Sequence, residues 1–539
     1  MRSWAAGLSV VAALALVASG ASAKVLRVGT YHGIKGQYSS IQAAVAAAKP
    51  GDWILIAPGD YKTKAGQRVP GRSDLAAGVL ITKANLRIRG MNRNSVIVDG
   101  TKSGPACSRS ASAQNLGPKT SKGHLGLNGI MVWKADNVWV QNLTSCNFLS
   151  GTGDSGNEIW WNGGDGSGKI GGWGYNGSYL NATNTFYAGK HPDATAAQYG
   201  IFSSNWSGGS WTETYASNFS DSGYYIGACQ QECDQTISKA HGEFNSLGYS
   251  GTNSGGMLVV KNSEFDHNQD GFDTDTENGD PPSPQNGDCP NGGISPITHT
   301  HSCWVFMDNY VHDNNNPNVP QVGQAGSTPL GVGLSLSGAR NDTLMHNRFV
   351  HNDAWAVLIQ VQQGEGGPPC IGGTLNFNVL GILTFPCLFD NYGDAILDNS
   401  FANNGGFGHA TNGDIATLNF LSGNPTNCFS GNTNPKGLTT SPAGLEQTQP
   451  VCDGSPMAAN DNIPLVLELL CGNEGSLVGV SLSCPGGKPY PPRTHVEMHA
   501  LPANLKTMPN PCAGVPANPW CRASAAASRP PQRSSGFTG

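Results

Sequence analysis

The sequence predicts an all-β fold built from stacked, repeated turns. A short skeleton recurs along the chain: a small polar residue, an apolar residue two places on, and Asn or Ser five places on. Its copies contain short alternating apolar runs broken by Gly, Asn and Asp, which is typical of strands rather than helices. Repeats of roughly 20 to 50 residues indicate a solenoid. The copies begin at Ser217, Ser263, Asn309, Asn347 and Asn399.

The composition agrees with a chain that turns often. The 539 residues include 73 Gly, and only 13% are charged, about half the usual share. The formal net charge is −6. A weak negative charge of this kind gives no electrostatic reason for nucleic acid or anionic lipid to bind, so neither is expected as a partner.

Residues 1–23 have the features of a secretory signal peptide. Arg2 supplies the positive charge, Leu8 to Ala18 form an apolar stretch, and Ala21-Ser22-Ala23 precede a cleavage site before Lys24. An uncleaved anchor is the alternative, but the apolar stretch is short for a membrane span. No later segment resembles a span. We therefore expect a secreted protein, extracellular or at the cell surface.

All 14 cysteines follow the signal peptide. An even number of cysteines in an oxidising compartment predicts disulfide bonds. Cys229 and Cys233 could instead form half of a zinc site, but no second pair with metal-ligand spacing accompanies them. The sequence therefore favours a disulfide here.

The N-terminal region, residues 24–60, predicts a cap and a first strand. Ser39 or Ser40 can begin a helix whose apolar face is Ile41, Ala44, Val45 and Ala48, and Pro50-Gly51 ends it. The apolar run 53–57 predicts the strand that follows. A helix in this place would cover the open end of a solenoid and protect its terminal strands from pairing with another chain.

The opening segment resembles a known family. Lys49-Pro50-Gly51-Asp52, the apolar strand and Ala57-Pro58-Gly59-Asp60-Tyr61 are similar to the start of pectin-lyase-like right-handed parallel β-helix proteins. The downstream Asn-containing copies resemble the turns of that fold. The resemblance spans residues 38–410 and implies a parallel β-helix over 61–427. It also implies action on an extracellular polysaccharide, an acidic glycan, as lyase, epimerase or hydrolase; the alternative is a non-catalytic glycan-binding or structural protein.

Several segments interrupt or follow the repeat. Residues 101–125, 276–297 and 316–330 lack periodicity and predict loops that leave the solenoid. Residues 428–521, rich in Cys and Pro, predict a C-terminal cap or module, and 522–539 predict a disordered tail. We expect the whole chain to be a monomer.

A dense run of carboxylates follows the copy at Ser263. In an extended strand Asp273, Asp275 and Glu277 would project to one side. Such a group could bind Ca²⁺, which prefers hard oxygen ligands, or could supply the acid and base that cleave a glycosidic bond. The alternative is a purely structural turn in which Asn268 and Gly271 adopt left-handed conformations.

The same stretch resembles motifs of two enzyme families. Residues 268–273, Asn-Gln-Asp-Gly-Phe-Asp, are similar to the Asn-Thr-Asp-Gly-x-Asp element of polygalacturonase-type hydrolases, which implies that Asp270 is catalytic. Gly271-Phe272-Asp273 resembles part of the Tyr-Gly-Phe-Asp-Pro-His-Asp element of alginate epimerases, which implies a catalytic Asp273. Thr274 and Asp275 stand where that element has Pro and His.

β-Elimination from an acidic sugar would need further groups: a base, and a cation that neutralises the sugar carboxylate. Lys261, His267, His312 and Arg340 are the candidates. His267, His312 and His351 fall beside copies of the repeat, which predicts that they lie on neighbouring turns. The predicted catalytic set is therefore Asp270, Asp273, His267, Lys261 and Arg340, with Asp273, Asp275 and Glu277 as metal ligands.

Aromatic residues are concentrated between residues 160 and 225. Aromatic faces can stack on sugar rings, which would make this region a glycan platform. Packing in the interior between successive turns is the alternative use.

Overall fold

The computed structural model describes residues 23–165, 167–188, 195–277, 283–322, 325–363, 373–377, 383–472, 484 and 486–521. The predicted signal peptide, apart from residue 23, and the predicted tail 522–539 lie outside the described residues. Parts of the loops predicted at 276–297 and 316–330 also lie outside them, at 278–282 and 323–324.

Two large sheets run the length of the molecule. The twelve-stranded sheet contains, in spatial order, Gln67–Val69, Arg72–Ile81, Asn128–Trp133, Asn157–Asn162, Tyr199–Ser204, Ser222–Gly227, Leu247–Thr252, Asp270–Asp275, Val332–Ser337, Trp355–Gln360, Gly413–Thr417 and Thr440–Ser441. The eighteen-stranded sheet contains Val25–Val28, Trp53–Ile56, Gly59–Lys62, Arg87–Gly90, Val96–Asp99, Val138–Cys146, Tyr175–Thr183, Gly209–Ser217, Gln235–Glu243, Leu258–Lys261, Glu264–Asp266, Trp304–Met307, Tyr310–His312, Thr343–Met345, Arg348–Val350, Ala395–Leu397, Ser400–Ala402 and Cys428–Ser430.

The remaining elements are short. The α-helices are Ile41–Ala47, Leu445–Thr448 and Ile463–Gly472, and the 3₁₀ helices are Ala111–Ala113, Pro290–Gly292 and Ala325–Ser327. Small sheets pair Thr30–Tyr31 with Ile34–Lys35, Lys119–Thr120 with Gly123–His124, and Gly172–Trp173 with Trp206–Ser207. A three-stranded antiparallel sheet joins Gln362–Gln363, Leu383–Phe389 and Gly373–Phe377.

Strands of successive turns pair in parallel and in register. In the twelve-stranded sheet only the hairpin of Gln67–Val69 with Arg72–Ile81 is antiparallel among the described pairs. Connections between parallel strands are almost always right-handed, because the strand twist favours that direction. The protein is a right-handed parallel β-helix, which confirms the predicted fold class.

Inward-facing residues stack into continuous columns between the sheets. One column of the twelve-stranded sheet passes from Val79 through Ile201, Tyr249 and Phe272 to Ile415, with one residue from each turn. These side chains are buried. Each turn buries its apolar face against its neighbours, so the core is linear and grows with the number of turns.

Stacked asparagines explain why the sequence repeat contains Asn. The Asn268 amide donates to Asn314 Oδ1 at 3.0 Å, and the Asn314 amide donates to Asn352 Oδ1 at 3.0 Å. A second column joins Asn347 to Asn399 in the same way, at 3.0 Å. The Asn residues of the repeat therefore form buried hydrogen bonds that link one turn to the next.

The predicted backbone of this corner is wrong by one residue. His267, with φ of 53°, takes the left-handed conformation, and neither Asn268 nor Gly271 has a positive φ. The chain turns before Asn268, which leaves the Asn268 amide free to enter the column. Gly271 is needed for close packing instead, since a Cβ there would lie 2.5 Å from the carbonyl oxygen of Gly333.

The N-terminal helix caps the solenoid as predicted. Ile41–Ala47 begins after Ser40, whose hydroxyl accepts a hydrogen bond from the Ala43 N–H at 3.2 Å. Ile41, Ala44 and Val45 are buried against the first turns. The cap covers apolar side chains that the end of a solenoid would otherwise expose.

Beyond residue 427 the chain first continues both sheets and then turns back. Cys428–Ser430 and Thr440–Ser441 form the last paired strands. Residues 494–521, here called the C-terminal strap, run along the solenoid towards its N-terminal end. The strap contacts, in turn, Asn318 through Thr494, Asn218 through His499, Asn142 through Thr507 and Ile34 through Trp520.

Six disulfides join described cysteines, which confirms that the cysteines form disulfides. Cys229 pairs with Cys233, so these two residues are not half of a zinc site. No helix of the described residues is long and apolar enough to cross a membrane. The disulfides are Cys107–Cys146, Cys229–Cys233, Cys289–Cys303, Cys428–Cys452, Cys471–Cys484 and Cys512–Cys521.

The aromatic residues divide into two groups. Trp161, Trp211 and Tyr224 are fully buried in the interior, and neighbouring rings lie about 6 Å apart. Trp160, Tyr199, Phe202 and Tyr225 form a separate cluster, and Trp173 has 55% of its surface exposed. Interior packing accounts for the first group, and a glycan platform stays a prediction for the others.

Candidate active site

A groove of about 490 Å³ lies on the outer face of the twelve-stranded sheet. Its floor comes from the strands of several successive turns, and its far wall comes from the C-terminal part of the chain. Five carboxyl groups line it. They belong to Asp221, Asp270, Asp273, Asp275 and Glu277.

Strand alternation places the central carboxyl groups in the groove. On the strand Asp270–Asp275, Phe272 and Thr274 are completely buried, and their neighbours in the inward columns are apolar. Asp273 and Asp275 point to the opposite face and are each 8% exposed. Glu277 follows on the same side and lines the groove with them. The three side chains thus share one face of the strand.

Neighbouring turns surround Asp273 with hydroxyl groups. Asp273 lies in register with Ser335, whose hydroxyl donates to Asp273 Oδ1, and Ser337 donates to the same oxygen at 3.4 Å. Burial raises the pKa of Asp273 to about 6, and the two hydroxyl donors limit the rise. The carboxylate form of Asp273 is therefore present at neutral pH.

Asp275 is held in a different state. It accepts one hydrogen bond, from the Thr252 hydroxyl to Oδ1 at 2.8 Å. Burial raises the pKa of Asp275 well above its ordinary value, and the charges of Asp273 and Glu277 raise it further. Asp275 therefore holds a proton more readily than an ordinary aspartate does.

Asp270 begins the strand and is almost fully buried. Its Oδ1 accepts the Phe272 N–H at 3.2 Å, and its Oδ2 is buried with no hydrogen-bond partner among the described residues. Burial, together with the charge of Asp273, raises the pKa of Asp270 well above its ordinary value. A neutral acid is the form that such an environment tolerates.

Sequence reasoning missed Asp221, which enters the groove from an earlier turn. The Tyr199 hydroxyl donates to Asp221 Oδ2 at 3.0 Å, and burial raises the pKa of Asp221 to about 7. Burial and the Asp221 charge raise the pKa of Tyr199 well above its ordinary value. Because Ser222, Leu247 and Asp270 are in register, aligning the repeat copies would have placed Asp221 beside this face.

The far wall is apolar. Val466, Leu469 and Leu470 come from the helix Ile463–Gly472, and Leu418 and Phe420 extend the wall. Thr328 and Pro329, from the loop predicted at 316–330, close one side. A polar floor opposite an apolar wall suits sugar rings, which have hydroxyl edges and apolar faces.

The predicted cationic partners lie elsewhere. Lys261 and His267 belong to the eighteen-stranded sheet and the corner after it, and the Arg340 guanidinium lies 4.6 Å from the ring centre of Tyr392. None of the three lines the described part of the groove. The structure thus brings Asp270 and Asp273 together and separates them from Lys261, His267 and Arg340, whose catalytic roles stay predictions.

The predicted Ca²⁺ site at Asp273, Asp275 and Glu277 has suitable chemistry. The carboxyl groups and the hydroxyls of Ser335, Ser337 and Thr252 are hard oxygen donors of the kind that Ca²⁺ prefers. In the described residues, however, the groups whose ligand atoms all lie within 4.8 Å of one another are on the other sheet. Ca²⁺ binding in the groove stays a prediction.

The three histidines beside the repeat lie on neighbouring turns. The ring centres of His267 and His312 lie 6.2 Å apart, and His312 and His351 both contact Asp313. These residues occupy neighbouring turns of the eighteen-stranded sheet and its corners, outside the groove.

No protein-family model matches the sequence, and no curated protein matches it. Among solved structures, the A-module of mannuronan C-5 epimerase AlgE6 from Azotobacter vinelandii is 12% identical, with a TM-score of 0.43, over 75% of this chain and 91% of that one. The family 28 exopolygalacturonase of Yersinia enterocolitica is also 12% identical, with a TM-score of 0.39, over 81% and 80%. No residue role is transferred from these structures. By its own strand pairing and register, the chain has the right-handed parallel β-helix fold.

Proposed function

We propose that the protein is an extracellular polysaccharide hydrolase whose active site is the groove on the twelve-stranded sheet. The observation that carries the proposal is the lining of the groove: five carboxyl groups, and no Lys, Arg or His among its described lining residues. The predicted signal peptide and the disulfides support an extracellular location.

The charge of the groove favours hydrolysis over elimination or epimerisation. Both alternatives remove a proton beside a sugar carboxylate, which requires a base and a cation that neutralises the carboxylate. Tyr199 is a poor base because its raised pKa keeps the phenol protonated. Hydrolysis instead requires two carboxyl groups with different pKa values, which the groove provides.

The roles follow from the two environments. Asp275, whose pKa burial raises well above its ordinary value, donates its proton to the glycosidic oxygen as the bond to the anomeric carbon breaks. Asp273, ionised and held by two serine hydroxyls, accepts a proton from the water that attacks that carbon. The products are a new reducing end and a new hydroxyl, and Asp273 and Asp275 return to their initial states through solvent.

The spacing of the pair predicts the stereochemistry. Alternate residues of a strand lie roughly 6.6 Å apart along its axis. Inverting glycosidases hold their carboxyl groups about 6.5 to 9.5 Å apart, which leaves room for a water molecule, whereas retaining enzymes hold them about 5 to 5.5 Å apart. We therefore expect inversion at the anomeric carbon.

The substrate can be neutral or acidic. Ionised Asp273 repels a sugar carboxylate, so an acidic glycan would need a bridging cation such as Ca²⁺ between the two negative charges. A neutral glycan would need none. The dependence of activity on a chelator therefore separates the two substrate classes.

The proposal is tested by incubating the secreted protein with xylan, pectate, alginate and a glycosaminoglycan, with and without chelator. We expect new reducing ends on one of them, with no ultraviolet absorption from unsaturated sugars. Unsaturated products would overturn the hydrolase and indicate a lyase. Binding to a glycan with no product of either kind would indicate a non-catalytic glycan-binding protein.

A further inference from the structure

A second polar group lies outside the groove, on the eighteen-stranded sheet. It consists of His241, Glu243, Glu264, Asp266 and His267, here called the histidine–carboxylate cluster. His241 and Glu243 come from one strand, and Glu264 and Asp266 come from the next. His241 is in register with Glu264, and Glu243 is in register with Asp266. Because parallel neighbours lie roughly 4.8 Å apart, the side chains of two turns meet on one face.

Asp266 is the centre of the cluster. Its Oδ1 lies 2.6 Å from His241 Nε2, and its Oδ2 lies 2.5 Å from His267 Nδ1. Two overlapping triads have ligand atoms that all lie within 4.8 Å of one another. One is His241, Glu264 and Asp266; the other is Glu243, Asp266 and His267, so both contain Asp266.

We propose that the histidine–carboxylate cluster binds one transition-metal ion of the Zn²⁺ class. Each triad offers one imidazole and two carboxylates, which are ligand types that Zn²⁺ uses, with bonds of about 2.0 to 2.2 Å. Ca²⁺ is the poorer fit, because it takes six to eight oxygen ligands and no imidazole. The site is distinct from the groove and independent of the proposed hydrolase activity.

The surroundings suit an ion that arrives from solvent. The side chain of Asp266 is 7% exposed, whereas that of His267 is 48% exposed, so the central ligand is buried beneath an accessible one. The Tyr215 hydroxyl donates to Glu243 Oε1 at 2.6 Å, while Glu243 Oε2 lies 3.9 Å from His241 Nε2. A hydrogen bond to the outer oxygen of a ligating carboxylate orients the inner one.

The hydrogen bonds seen in the cluster are those that a metal ion would replace. The Asp266 carboxylate is hydrogen-bonded to His241 Nε2 and to His267 Nδ1. An ion bound to Asp266 and one of these imidazoles would take the place of that hydrogen bond. Its binding can be measured directly, without an assay of enzyme activity.

The C-terminal strap lies beside the cluster. The ring of His499 stacks on Phe244 with ring centres 3.6 Å apart, and the Phe244 ring lies 5.4 Å from that of His267. The His499 N–H donates to Asn218 Oδ1 at 2.9 Å, which fixes the strap at this turn. An ion held by either triad would therefore link two successive turns close to the strap.

The test is a titration of the full chain, without a histidine tag and after treatment with chelator, with ZnCl₂ in a calorimeter. We expect one Zn²⁺ per chain. D266A removes the ligand that both triads share and should weaken binding by more than about tenfold. One of H241A and H267A should weaken it as much, which identifies the triad that holds the ion. H351A is the matched control, since His351 occupies the same left-handed corner position beside Asn352.

Visible absorption of the Co²⁺-loaded protein provides a second measurement. A tetrahedral site gives an intense Co²⁺ spectrum, which should be lost in D266A and kept in H351A. Circular dichroism verifies that each variant is folded. The proposal is overturned if the natural protein binds no Zn²⁺, or if D266A binds it as tightly as H351A does.

Discussion

Replacing Asp273 by Asn removes the proposed base with little change in shape. The amide oxygen of Asn can still accept hydrogen bonds from Ser335 and Ser337, so the neighbouring strand keeps its contacts. The amide cannot accept a proton from water. The variant D273N therefore separates the chemistry of the carboxylate from its place in the fold.

The expected loss of rate in D273N follows from the different roles of Asp273 and Asp275. Burial, the main cause of the raised pKa of Asp275, is unchanged in the variant, whereas the smaller contribution from the charge of Asp273 is lost. Asp275 can therefore still protonate the leaving group, and the main loss is the activation of water. One general base contributes about 10²- to 10⁴-fold in rate. At about 1.36 kcal/mol per factor of ten, the barrier rises by about 3 to 5 kcal/mol. KM should change little, because the groove keeps its lining.

The assay measures initial rates of reducing-end formation on the polysaccharide that the panel identifies. D308N is the matched control, because Asp308 is also an aspartate on the solenoid but lies outside the groove, near His346. Circular dichroism and thermal unfolding should be the same for both variants. If D273N keeps a kcat within about tenfold of the natural protein, Asp273 is not the base and the assignment fails.

Three further predictions follow from the same geometry. S335A removes a donor that lowers the pKa of Asp273, so the acidic limb of the pH–rate profile, near pH 6 in the natural protein, should move to higher pH; an unmoved limb would exclude Asp273 as the titrating group. N347A leaves buried donors and acceptors of the Asn column unpaired, so the free energy of unfolding, measured in urea, should fall by about 2 to 4 kcal/mol. S400A, at an exposed position, should change it by less than about 0.5 kcal/mol. Equal effects of the two substitutions would contradict the role of the column. Burial raises the pKa of Asp266, but hydrogen bonds from its histidine partners lower this pKa to about 2, below the unfolded value of about 3.9. Asp266 therefore stabilises the fold above pH 4, and this contribution is lost as pH falls through 2. The difference in unfolding free energy between the natural protein and D266N should shrink over that range.

The fold was predictable because a solenoid repeats its local rules. The Asn of the repeat forms the buried columns, and the apolar residues beside it form the core. The helix Ile41–Ala47 was predictable from Ser40 and from its apolar face, because capping and amphipathicity involve residues close in sequence. The left-handed corner at His267 was assigned one residue late, because Asn is the usual residue for that conformation.

The candidate site was only half predictable. Alternation along one strand predicted that Asp273, Asp275 and Glu277 share a face, and all three line the groove. Asp221 was missed because it comes from a turn two strands away in the sheet and lies outside the run of carboxylates that the sequence pattern singled out. Lys261 is close to Asp270 and Asp273 in sequence, but its strand belongs to the eighteen-stranded sheet, whereas Asp270–Asp275 belongs to the twelve-stranded sheet.

By itself, the sequence determined the stacked turns, the capping helix and the common direction of Asp273, Asp275 and Glu277, because each depends on strand or helix geometry over a few residues. Only the tertiary structure decided that Ser335 and Ser337 would hold Asp273 and that the helix Ile463–Gly472 would form the far wall. It alone separated the carboxyl groups of the groove from the histidine–carboxylate cluster. These contacts depend on which turns stack against one another and on where the C-terminal part of the chain returns. No local pattern of residues encodes such long-range packing.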